Sequence, residues 1–336
     1  MTKKREIVAS LTERLPAFEL LHPMLEEYWG QISPRLDVDG FVVRLENYNV
    51  LFTAGTGEGN QRLYTSFHFM HPKRDALTRP VYWAAPFFRK KGLCGINVYP
   101  KVNCWYQHSP IRKFFRTVRD TGWFDQFDRR VTYGESMGAT GALWHADVLK
   151  ADSILAFSPQ VCLDQEVVDA GDRRFKAALE LDWDRSILQD RLQSLPHTTD
   201  LISFFDPRVD LDRLQGDVLK KLTSDNARMV YLPYIGHSTI TLLARMGSLS
   251  ELVIESGKDR ISDEMLTDIK RSRKSYGRWL AHLNHYNERR PSHHQKWIRN
   301  TLSQHAEHTS IVKDSTMHPS HEKHYGSQAR SPHSIF

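Results

Sequence analysis

The stretch Tyr133-Gly134-Glu135-Ser136-Met137-Gly138 holds the residues best placed to do chemistry. Ser136 lies between two glycines, after the short run Arg130-Val131-Thr132-Tyr133 and before a helix-compatible run from Ala139 to Leu149. A serine at a tight strand-to-helix turn takes a strained backbone conformation that lifts its hydroxyl clear of the sheet. The glycines keep other side chains out of the turn. The first N–H groups of the following helix have no partner within it and face the place where an oxyanion would form. The chemistry expected of Ser136 is nucleophilic attack on an acyl carbonyl.

A serine nucleophile needs a base, and the base needs an orienting carboxylate. Downstream, Met229-Val230-Tyr231-Leu232-Pro233-Tyr234 reads as a strand, Ile235-Gly236-His237-Ser238 as a loop, and Thr239 to Met246 as a helix. Of the 17 histidines, ten follow residue 256, and among the other seven only His237 has this setting. The carboxylate is expected after the strand Leu201-Ile202-Ser203-Phe204-Phe205, in the turn Asp206-Pro207-Arg208-Val209-Asp210. Pro207 fixes its own φ and keeps Asp206 extended, which makes Asp206 the first candidate. Asp210 is second and Asp212 third. Asp210 could instead cap a helix running from Leu211 to Leu222.

With these residues the chain resembles the α/β-hydrolase superfamily over roughly residues 40 to 255. The resemblance implies an α/β fold with a mostly parallel central sheet, and chain order serine, acid, histidine. It implies Ser136, Asp206 (or Asp210) and His237 as a triad. It also implies oxyanion donors from the Met137 N–H and from a second N–H, Phe69 or Met70, just past the strand Leu63 to Phe69. The sequence lacks the His-Gly-Gly signature of many esterases. Asn97 to Gln107 and Phe157-Ser158-Pro159-Gln160 resemble a group of bacterial α/β-hydrolase-like proteins. Glu135 occupies the variable position of the turn and receives no role. Trp105 and Tyr106 follow the strand Gly95 to Tyr99, and ligands bind beyond such strand ends, so both are candidates to line a pocket or to pack under a loop. The implied activity is hydrolysis of an ester or other activated acyl group, with a small-molecule acyl substrate and no cofactor or metal. Acyl transfer by the same triad, or a non-catalytic binding protein on the same fold, are the alternatives.

Other elements must frame these residues. Residues 1–35 read as an N-terminal helical extension, and 36–256 as the core. Phe41 to Leu45 and Tyr48 to Phe52 read as strands, and Gly55 to Asn60 as a hairpin turn rather than a phosphate loop. Val81 to Lys90 and Ile111 to Arg119 read as helices, and Ser153 to Phe157 as a buried strand. Residues 161–197 are charged and helical between two strands, as expected of a cap insertion. Residues 257–303 read as a helical extension with a basic helix from Asp263 to Asn284. Residues 304–336 are poor in apolar residues and read as a disordered tail.

Composition sets bounds. The chain has 336 residues, 40% hydrophobic content and a net charge of +6. That charge comes from the part after residue 256, with fourteen Lys/Arg against eight Asp/Glu, so the core is neutral. The basic helix therefore reads as a solvated face rather than a nucleic-acid contact. No run of eighteen apolar residues occurs, so no membrane span is expected. Glu13, Arg14 and Pro16 interrupt any signal-peptide core. Cys94, Cys104 and Cys162 are odd in number and far apart, which fits a reducing cytoplasm rather than a disulfide framework.

Overall fold

The computed structural model describes residues 11–35, 40–70, 82–173, 176–223 and 226–275, together with 9 and 279. The remainder of the segment expected as a basic helix beyond 275, apart from Trp279, and the 304–336 tail lie outside the described residues. One nine-stranded sheet runs through the described chain: β1 (Ile32–Arg35), β2 (Gly40–Arg44), β3 (Tyr48–Thr53), β4 (Arg62–Phe67), β5 (Cys94–Pro100), β6 (Arg129–Glu135), β7 (Ser153–Phe157), β8 (Asp200–Phe205) and β9 (Arg228–Tyr231). Their spatial order is β1-β2-β3-β5-β4-β6-β7-β8-β9. From β5 through β9 all neighbours are parallel, and β1, β2 and β3 add antiparallel pairings at one side.

Two expectations change here. Residues 32–35 are an edge strand, not part of a helical extension; Pro34, which cannot donate to a ladder, is tolerated at an edge. Gly55 to Asn60 is not a hairpin turn, because β5 lies between β3 and β4. That segment passes into a short 3₁₀ turn, Gly57–Gln61, and crosses over to β4.

The parallel strands carry near-continuous apolar runs because both faces are covered. Alternation along β7 divides the core: Ile154 and Ala156 pack with Phe67, Phe114 and Leu143 on one face, and Leu155 and Phe157 pack with Tyr133, Phe204 and Leu252 on the other. The helix Ser109–Asp120 starts with Pro110 in its first turn and buries Ile111, Phe114, Phe115 and Val118, one stripe at helical spacing. Arg130 with Asp152, and Arg228 with the buried Asp200, pair the strand starts. The sheet order reverses at β4, from which the chain goes first to β5 on one side and then to β6 on the other. Parallel sheets bind ligands outside the carboxyl ends of strands at such a point. Among the described residues no helix is long and apolar enough to cross a membrane.

The helix Met137–Trp144 follows β6 and is buried along its whole length. His145 ends it, with its ring stacked at 6.0 Å on Phe67 and its Nε2 donating 3.0 Å to the Tyr106 carbonyl. Its Nδ1 is buried without a partner, so a proton there would be an uncompensated charge. Burial first, and then the Arg112 cation, push the imidazole pKa down from 6.5 to about 3. The unfolded chain therefore binds this proton between about pH 6.5 and 3 and the folded chain does not. Stability falls as pH drops through that window, by up to ~1.4 kcal/mol per unit. His145→Gln keeps a donor for the Tyr106 carbonyl and removes the titration. Urea unfolding from pH 6 to 4 should show a shallower loss of stability in the variant, by close to one proton; equal slopes would contradict it.

Candidate active site

β6 ends at Glu135, and Ser136 follows with φ 56° and ψ −117°, a left-handed conformation that a residue with a Cβ rarely adopts. Its N–H donates 2.9 Å to the Phe157 carbonyl of β7, and its carbonyl accepts from Ala139 and Thr140 in the next helix. The two flanking glycines have different reasons. A Cβ on Gly134 would stand 2.4 Å from the Gly138 backbone, and one on Gly138 would stand 2.4 Å from the Phe67 carbonyl at the end of β4. The turn thus folds tightly on itself and against the switch-point strand.

The Ser136 hydroxyl lies 3.0 Å from His237 Nε2. His237 Nδ1 lies 2.9 Å from both carboxylate oxygens of Asp212. The imidazole is partly exposed, and the Asp212 carboxylate is wholly buried. An Nδ1 facing a carboxylate carries the proton, which leaves the Nε2 lone pair toward the serine. Ser136 and His237 are thus brought together as expected, and the carboxylate beside them is the third-ranked candidate.

Asp206, the first choice, does not reach His237. One of its oxygens accepts the N–H groups of Ile235 (2.9 Å) and Gly236 (2.8 Å), and the other accepts Arg208 N–H at 2.8 Å. Burial raises its pKa and these N–H groups oppose the rise. It pegs the loop carrying His237, in which Tyr234 and Gly236 both have positive φ. Asp210 is also excluded: it is 87% exposed and pairs with Arg213 at 3.6 Å. Asp212 sits in the first turn of the helix Asp210–Leu222, on the buried stripe Asp212, Gln215, Gly216, Leu219, Leu222. That stripe was the available signal, since an aspartate on the buried face of a helix needs a polar partner.

Of the expected oxyanion donors, Met137 opens the helix after Ser136, and Phe69 and Met70 lie just past β4. Trp105 and Tyr106 do not line an open pocket. Both are fully buried, and Trp105 Nε1 donates 2.6 Å to Gln160 Oε1. Their consecutive positive φ values, 46° and 60°, lie in the loop that follows β5, and the Tyr106 hydroxyl reaches the His68 carbonyl. Glu135 has a place that sequence reasoning missed: its Oε1 accepts the Ile240 N–H at 2.8 Å, capping the helix Thr239–Arg245 that begins just after His237. Burial pushes its pKa up to about 7, opposed by that N–H and by His237. Among the described residues no group of three or more His, Cys, Asp or Glu could hold a metal.

The capsule O-acetyltransferase of Neisseria meningitidis serogroup A, solved with caged gadolinium, is similar at a TM-score of 0.50 and 11% identity, over 68% of this chain and 99% of that chain. This chain has the α/β-hydrolase fold. A substrate-bound fluorophosphonate-binding serine hydrolase of Staphylococcus aureus (TM-score 0.45, 13% identity, 66% of this chain and 98% of that chain) and an esterase of Pyrococcus furiosus (0.42, 14%, 65% and 88%) are also similar. No family model and no curated protein sequence matches. Among the described residues, the three short helices Gln165–Asp169, Lys176–Leu179 and Arg185–Gln193 lie between β7 and β8.

The Glu135 contact makes a prediction. Ser238 supplies no side-chain cap to the Thr239–Arg245 helix. Glu135→Ala should therefore lower stability by ~1 kcal/mol, the usual value of a lost cap, and Glu135→Gln, which keeps an acceptor, should lose much less. Urea midpoints measure both; equal losses would show that the cap is not what the side chain contributes.

Proposed function

We propose that the chain is a serine hydrolase acting on an ester or other activated acyl group. The observation that carries this reading is the continuous contact from Ser136 Oγ to His237 Nε2 and from Nδ1 to Asp212. Ser136 attacks the acyl carbonyl and His237 takes its proton. Asp212, rather than Asp206, holds the imidazole tautomer and stabilises the imidazolium. The Met137 N–H and the N–H of Phe69 or Met70 stabilise the oxyanion, each such donor being worth ~3 kcal/mol. Collapse of the tetrahedral intermediate returns the proton from His237 to the leaving group and leaves an acyl group on Ser136. Water, activated by the same histidine, then releases the acid. An alcohol in the place of water would give acyl transfer, since the acyl-enzyme does not select its acceptor.

Ser136→Ala should abolish turnover of p-nitrophenyl acetate with the fold intact by circular dichroism. Turnover equal to that of the unaltered protein would end the proposal. The acid is decided by a second pair. Asp212→Asn offers the imidazole the wrong group and should cost up to ~10⁴-fold in kcat. Asp206→Asn should act mainly on stability, through the loop it pegs. If Asp206→Asn alone carries the large kcat loss, the Asp212 assignment is wrong.

A further inference from the structure

A buried hydroxyl lies behind the Ser136 turn. Tyr106 is buried, and its Oη donates 2.7 Å to the carbonyl of His68, the first residue past β4. The same hydroxyl reaches the Val98 carbonyl of β5 at 3.3 Å, and the His68 N–H also donates to Val98, at 3.1 Å. His68 is thus tied on its β5 side. The peptide from His68 to Phe69 is trans, as all described peptides are, so the Phe69 N–H points opposite to the His68 carbonyl. Across β4 from β5 stands β6, which ends at Glu135 with Ser136 next in the chain.

We infer that Tyr106 is a positioning residue that aims the Phe69 N–H at the oxyanion formed on Ser136; the inference rests on the serine hydrolase reading above. Tyr106 touches no substrate. It is itself held from several sides. Its ring stacks at 5.8 Å on Tyr48 and meets Phe67 edge-on at 5.0 Å, and its carbonyl takes the His145 proton. The positive φ at Trp105 and Tyr106 is backbone strain in the loop that carries the hydroxyl to the His68 carbonyl. Burial pushes the phenol pKa well above its ordinary value, so the group stays a neutral donor. His145 in turn closes the helix that Ser136 opens. One chain of contacts therefore links the nucleophile's helix to the second oxyanion strand. A preorganised donor is effective because it need not reorient as charge develops, and loss of one costs ~10²–10³-fold in kcat. Misaiming it should cost part of that.

Tyr106→Phe removes only the hydroxyl and keeps the ring. On p-nitrophenyl acetate its kcat should fall by ~10-fold or more with KM within about twofold. Its Ki for a trifluoromethyl ketone, whose adduct on serine bears the oxyanion, should rise in proportion to the loss in kcat/KM. Tyr48→Phe removes a buried hydroxyl from the same aromatic cluster without touching His68, and should keep kcat and Ki. If Tyr106→Phe is not recovered folded, His145→Leu, which frees the Tyr106 carbonyl, should show the same linked loss of kcat and inhibitor affinity. Unchanged kcat in Tyr106→Phe, equal losses in Tyr48→Phe, or a kcat loss with an unchanged Ki would overturn the inference. An unaltered protein that neither hydrolyses the ester nor binds the ketone would contradict the hydrolase reading itself, whereas an active one beside an equally active Tyr106→Phe contradicts only the role of Tyr106.

Discussion

A serine held at φ 56° is the constraint on which the other parts of the site depend. Such a conformation costs ~1–3 kcal/mol and persists only where its surroundings over-determine it. Here the Ser136 N–H is fixed to β7, its carbonyl to the following helix, and the flanking glycines admit the backbone of the turn and of β4 at distances no side chain would allow. The strain sets the direction of the hydroxyl before any substrate arrives. His237 must then be brought to that hydroxyl from another part of the sheet, 101 residues further along the chain.

The segment leaving β7 joins these parts. Ser158 Oγ contacts Thr239 Oγ1 at 2.7 Å, at the start of the helix after His237. The Gln160 side chain accepts from Trp105 and its carbonyl accepts from Thr140, in the helix after Ser136. The Val161 carbonyl accepts from Trp144, and its N–H donates 2.7 Å to Gln215, on the Asp212 helix. Gln215 also donates to Cys162 and to Asp172. Residues 158–162 therefore bond to the helices that present Ser136, Asp212 and His237. These bonds are buried, where an unmade partner is expensive, so the three elements are held in one register by the same cost that would attend their separation.

The strand, turn and helix around Ser136 and the loop carrying His237 were legible in the sequence because both depend on local chemistry. Glycine spacing, a serine and a strand-to-helix change of period can be read from a few neighbours, and so can a Gly-His loop after an apolar run. The strand set of the parallel half was legible for the same reason. The acid was not. Asp206 beside Pro207 has the local look of a turn aspartate, and it is one: it binds the backbone of the His237 loop. Which of three nearby aspartates meets the imidazole depends on how the Asp210–Leu222 helix rolls against the sheet, and the clue lay in burial rather than in the turn. For Trp105 and Tyr106 position alone left a pocket and packing under a loop both open, and burial decides for packing. Both residues have left-handed backbone, and no local pattern announces that. Glu135 escaped because its partner, Ile240, is 105 residues away.

The most direct test is chemical labelling of the serine itself. The full chain is treated with a fluorophosphonate, weighed intact, and digested to find the modified residue. The expected result is one adduct per chain, on Ser136, formed far more slowly in His237→Ala and Asp212→Asn. No adduct, or an adduct on another residue formed at the same rate in all three proteins, would contradict a Ser136–His237–Asp212 nucleophile.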